Sequence, residues 1–167
     1  EKLDPVDMAP EIARQMWRCA AEQGLGGAAN NLGISMKLDE HYDKAVEAFQ
    51  LGVKAGDAQS AYRLEVAFRE PYNPSDADQL GLHPDAERSR RYAAIRKFIG
   101  RNDGRNPMVT DIDKIVPLPP APLPAWDGTF QWEKEQAAAK PPEKPSDDMI
   151  NRMAKEKNLD PATGLPL

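Results

Sequence analysis

The sequence predicts an all-α fold: a short α-solenoid of helix pairs, followed by an extended proline-rich C-terminal tail with one short helix. Three observations predict it. A glycine-centred pattern recurs through the first hundred residues, as it does where helix pairs stack. Eleven of the 16 prolines lie in 101–167, and none lies between positions 11 and 70. Residues suited to β-strands are too few and too scattered to build a sheet.

The first hundred residues are rich in Ala, Leu, Glu, Arg and Lys, all strong helix formers. The pattern places helices at 8–23, 27–37, 41–55, 58–70 and 85–99. Gly24 aligns with Gly56, 32 residues on, and the neighbours fall into step. Ala28 meets Ser60, Leu32 meets Leu64, Met16 meets Ala48 and Trp17 meets Phe49. A third copy follows an insertion at 71–84: Arg88 corresponds to Lys44, Tyr92 to Ala48 and Gly100 to Gly56. Each glycine is expected to close its helix in the left-handed conformation. Small residues (Ala20, Ala28, Ala29, Gly33, Gly52, Ala58, Ala61) let helices approach closely. Met16, Trp17, Leu32, Phe49, Leu51, Tyr62 and Leu64 are expected to fill the space between them, with Cys19 a packed core thiol.

The tail holds IVPLPPAPLP at 115–124 and KPPEKP at 140–145, which cannot stay helical and favour an extended path. Asp127-Gly128 marks a tight turn flanked by Trp126, Phe130 and Trp132, which are expected to pack on the exposed end of the repeats. Ser146 is the expected N-cap of a helix over 147–157 with an apolar stripe of Met149, Ile150 and Met153. The predicted organisation is therefore a repeat domain over 1–100 and an ordered capping tail over 101–167.

The strings AAEQGLGGAANNLG (20–33) and KAVEAFQLGVKAGDAQSAYRL (44–64) resemble Sel-1-like repeats, relatives of tetratricopeptide repeats. Two departures stand out: no glycine loop occurs around 38–41, and Glu65 replaces a Leu-Gly glycine, which implies looser packing there. The strings IVPLPPAPLPAWDGTFQW and PSDDMINRMAKEKNLDPATGLP resemble a bacterial domain of unassigned function found downstream of such repeats. Proteins of that make-up recur beside type VI secretion effector genes, especially lipase and phospholipase toxins, and act as immunity proteins. The resemblance thus implies a periplasmic immunity protein, with a cytoplasmic location as the alternative. Its partner would be a cognate secreted effector. The alternative function is a periplasmic scaffold or adaptor that gathers partners without inhibiting them.

Composition and motifs narrow the chemistry. The net charge of −5 argues against nucleic acid as a partner, and no apolar run approaches the roughly 18 residues of a membrane helix. One cysteine makes no internal disulfide, and two histidines add no zinc cluster. Gly24–Ala29 spells G-x-G-x-x-A, but a dinucleotide fingerprint needs a preceding strand and here a helix precedes it. His41 and His83 lack a ligand-like spacing, and no G-x-S-x-G, H-E-x-x-H or P-loop occurs. No enzyme, cofactor or metal is therefore expected. The basic stretch of Arg88, Arg90, Arg91, Arg96, Lys97, Arg101 and Arg105 reads as a solvated face or as pairing with Asp147 and Asp148. The sharper reading is a docking patch for an acidic partner.

Solenoids bind through positions not needed for packing. That places partner contacts at Arg63, Arg69 and Tyr72, with Asn31 and Asp78 in support, because Tyr and Arg most often dominate interface energy. The competing reading pairs Arg63 and Arg69 with acids of their own helix, Asp57, Glu65 or Glu70. Neither the effector's identity nor the oligomeric state follows from the sequence.

Overall fold

The computed structural model describes residues 5–69, 80–140 and 143–167, which form eight helices and no strand. Five helices make the repeat body: α1 (Pro5–Glu22), α2 (Gly26–Leu38), α3 (Tyr42–Lys54), α4 (Ala58–Ala67) and α5 (Ala86–Arg101). Each packs on the next in chain order, and α2 also reaches α4, so the pairs stack as layers. Beyond them lie α6 (Ile112–Ile115), α7 (Gln131–Ala138) and α8 (Asp147–Lys157). The tail thus carries α6 and α7 besides the helix expected at 147–157. Both are short, and α6 is a single turn among prolines.

The repeat glycines act as expected in the first two copies. Gly24 (φ 92°) and Gly56 (φ 82°) are left-handed. The N–H of Gly24 donates to the Ala21 carbonyl and that of Leu25 to the Ala20 carbonyl; Gly56 and Asp57 repeat both bonds to Val53 and Gly52. The glycine-free turn at 38–41 closes the same way. Glu40 takes φ 61°, while Glu40 N–H bonds Lys37 and His41 N–H bonds Met36. In the third copy the expectation fails, because α5 runs through Gly100 to Arg101. Asn102 ends it instead, its side-chain amide donating to the Phe98 carbonyl at 3.0 Å. Helix starts follow the caps: Asp57 accepts from Ser60 N–H and Asp85 from Arg88 N–H.

Two neighbouring layers are sealed by different chemistry. Between α2 and α3, Gly33 leaves room for Phe49: a methyl group there would come within 2.5 Å of its ring. One copy on, Glu65 stands in the Gly33 register and Ala93 in that of Phe49, so the bulk has changed sides. Packing at Glu65 is not looser. Its buried carboxylate pairs with Arg96 at 2.8 Å and Arg69 at 3.1 Å, and Ser89 Oγ donates to its carbonyl. One apolar core runs from Leu32 and Phe49 through Leu64, Tyr92 and Phe98 to Val109, Ile112, Val116, Phe130 and Trp132. The tail to residue 132 is therefore ordered on the repeats, as its aromatics predict.

Three side chains expected inside lie outside: Met16 is 68% exposed, Tyr62 is 41% exposed, and Cys19 is exposed. The chain divides into two compact units, Glu1–Gln136 and Ala137–Leu167. In the second, Ser146 caps α8 by accepting from Met149 N–H, and Asn158 (φ 55°) ends the helix. The chain then folds back on itself, with Leu159 and Pro166 bridged antiparallel. Asp160 ties this loop. The N–H and hydroxyl of Thr163 and the N–H of Ala162 all donate to it, the Thr163 N–H foremost, and hold its carboxyl below the usual range.

Candidate protein-binding surface

Segment 107–132 lies on the face made by α3 and α5, and buried polar side chains grip its backbone. Val109 N–H donates to the Lys54 carbonyl at 3.0 Å, and the Pro107 carbonyl sits where a side chain on Gly56 would be. Gln50 is 7% exposed; its Nε2 donates to the Val116 carbonyl at 3.1 Å and its Oε1 accepts from Tyr92 Oη at 2.8 Å. Arg91 donates to the Ile115 carbonyl at 2.6 Å, and Arg88 to the carbonyls of Pro117 and Ala121. Phe130 stacks on Phe98 at 4.0 Å between centroids, and Trp132 meets the same ring edge-on.

The basic helix is therefore neither wholly a solvated face nor wholly a docking patch, since Arg88 and Arg91 are buried clamps on the tail. The reason is a match of surpluses. Prolines supply carbonyls without N–H groups, and arginines supply donors without acceptors. A run of acceptors facing a run of donors was the available signal. Gln50, one polar residue in the apolar string AFQLGV, was a second. Burial also pushes the Tyr92 hydroxyl above the usual tyrosine range. At the exposed edge, hydrogen bonds from Arg90 and then Arg91 hold the Glu87 carboxyl at about 2.

The other end of the described repeats carries a groove. Lying between α1 and α2, it encloses about 530 Å³ and is lined by Met16, Trp17, Ala20, Leu25, Ala28 and Asn31 among others. Met16 and Leu25 are mostly exposed. Of the sequence-predicted contacts, Asn31 lies in this groove. Arg63 is engaged within the fold: its Nε donates to Asn30 Oδ1 at 3.1 Å and its guanidinium lies over Phe49. Arg69, just past the end of α4, pairs with Glu65 of that helix, the competing reading for that residue. Tyr72 and Asp78 lie outside the described residues. Among the described residues, no three His, Cys, Asp or Glu side chains are grouped to hold a metal ion. No described helix is long and apolar enough to cross a membrane.

Residues 60–167 match the model of a domain of unknown function, DUF6396. The chain belongs to the DUF6396 family. No curated protein and no solved structure matches it. The part shared with DUF6396 begins in α4 and takes in α5 and the tail with their arginine clamps. The groove of α1 and α2 and Gln50 lie upstream of the DUF6396 match, while the Gln50 partners Tyr92 and Val116 lie within it.

Proposed function

We propose that this DUF6396 chain is a protein-binding immunity factor that neutralises a secreted lipase or phospholipase-type toxin of a type VI system. One observation carries the binding half of this reading: the repeat body is closed by its own tail at α5 and keeps an apolar groove at α1 and α2. Repeat bodies bind through the surfaces their packing leaves free. The toxin half rests on the resemblance of the repeat strings and tail to proteins encoded beside such effectors. Binding in the periplasm places the factor where an incoming lipase would act, and occlusion of the toxin's active site needs no chemistry from the chain. Contact then falls on the surface that includes Asn31 of α2, with Arg63 of α4 and Arg69 just past it one repeat on.

The test is a titration of the purified chain against the effector encoded next to its gene. Nanomolar binding with loss of lipase activity is the expected result. Binding with full lipase activity would make the chain an adaptor, and no binding would end the proposal.

A further inference from the structure

One pair of repeat positions carries different charges in neighbouring copies. In α5 these positions are Glu87 and Arg91, an ion pair at 2.7 Å. In α3 they are Asp43 and Glu47. Like charges one helical turn apart repel. Among the described residues, neither carboxylate has an ion pair or a side-chain hydrogen bond, and Lys44 beside them pairs with neither. Both border a pocket of about 410 Å³ where the start of α3 meets the segment before α5 and the proline run of the tail. Val46 and Leu80 are its buried lining, and Leu82, Leu118 and Pro119 complete an apolar wall. Tyr42, 39% exposed, stands at its edge.

We propose that this pocket receives an arginine side chain of a protein partner. This rests on the reading of the chain as a protein-binding factor, and adds a contact apart from Asn31. The charged lining, Asp43 and Glu47, accepts hydrogen bonds and donates none, so its complement is a cation. The wall is apolar, so that cation needs an aliphatic stem. Arginine has both. Its planar guanidinium reaches two carboxylates from separate edges and lies against an aromatic ring such as Tyr42. Lysine brings one compact charge to two carboxylates and suits the pocket less well. The volume falls at the small end of the ~300–1,000 Å³ of organic ligand sites, which fits one long side chain and not a helix. In α5 the chain supplies its own arginine beside the carboxylate; in α3 the partner supplies it.

The probe is the blocked tripeptide acetyl-Ala-Arg-Ala-amide, titrated into the isotope-labelled full chain and followed by amide chemical shifts. Saturable shifts at Val46, Gly81 and Leu82 are expected, with half-saturation below about 10 mM. Citrulline in place of the arginine, a neutral isostere, should weaken binding about tenfold or more. So should Asp43→Asn combined with Glu47→Gln in the protein. That pair of changes relieves repulsion while removing the helix-terminus attraction of Asp43, so the thermal midpoint should stay close to wild type. Equal binding of the arginine and citrulline peptides, or shifts that never saturate, overturns the proposal. Tighter binding of spermidine than of the tripeptide also overturns it, since the pocket would then serve a free polyamine. Where the effector binds, the double variant should bind it about tenfold more weakly, and equal affinity again overturns the proposal. The tripeptide titration contains no effector, so it holds or fails independently of the neutralisation assay.

Discussion

At the α5 end of the repeats, the register positions of Tyr92, Ile95 and Phe98 are fully buried under α4 and segment 107–132. At the α1 end, the same positions are Met16, Cys19 and Glu22, all exposed. The two faces differ in what lies against them rather than in helical geometry. A repeat position is interior only when a further layer covers it. At α5 that layer is a segment that is not a repeat.

The largest expected contrast between the ends is at their helix-closing glycines. Gly56→Ala should cost about 3 kcal/mol in urea unfolding, because the left-handed penalty adds to a collision with the Pro107 carbonyl. Gly24→Ala, with nothing within 4 Å, should cost about 1 kcal/mol. Equal costs would mean that the tail gives way at no expense.

Next comes the pair Gln50 and Arg18, which share a register. Gln50→Ala strands Tyr92 Oη and the Val116 carbonyl and should cost about 2 kcal/mol. Arg18 is exposed, and Arg18→Ala should stay within about 0.5 kcal/mol. Ser60 differs from its counterpart Ala28 by a buried hydroxyl with no partner among the described residues. Ser60→Ala should therefore raise stability by about 1 kcal/mol, seen as a later thermal midpoint.

The smallest effect is in acid. The Glu87 carboxyl titrates lower in the folded chain than unfolded, so its contribution is complete above about pH 4.5 and fades as pH falls through about 2. Urea midpoints should drop less between about pH 5 and pH 3 in Glu87→Gln than in wild type. An unchanged slope would remove Glu87 from the balance. Asp127, held low by the Thr129 hydroxyl and N–H, supplies part of the drop that remains.

The helices of the body were legible because their ends are written locally. Gly24, Gly56, Asp57, Asp85 and Ser146 each act within four residues of where they stand. Gly100 misled because being glycine permits a left-handed turn without enforcing one; Asn102 lies two residues further and supplies the cap. Met16 and Cys19 misled because their burial depends on a layer this structure does not place there. Arg88 and Arg91 resisted reading for the opposite reason: their acceptors lie 24 to 33 residues downstream, in a segment with no periodicity of its own. Of the groove lining, Asn31 is marked in the sequence as a position not needed for packing, whereas Trp17 and Ala20 read there as packing residues.

The Gln50 to Val116 contact spans 66 residues, far beyond the neighbour-to-neighbour contacts of the helices. Synthesis runs from the N-terminus, so α1 to α5 leave the ribosome before the segment that covers them has emerged. For that interval the newborn chain displays Tyr92, Ile95 and Phe98 to the cell. A ribosome that stalls before residue 132, or a message cut short there, releases a body with this face bare, and that truncated product is the one chaperones and proteases would meet first.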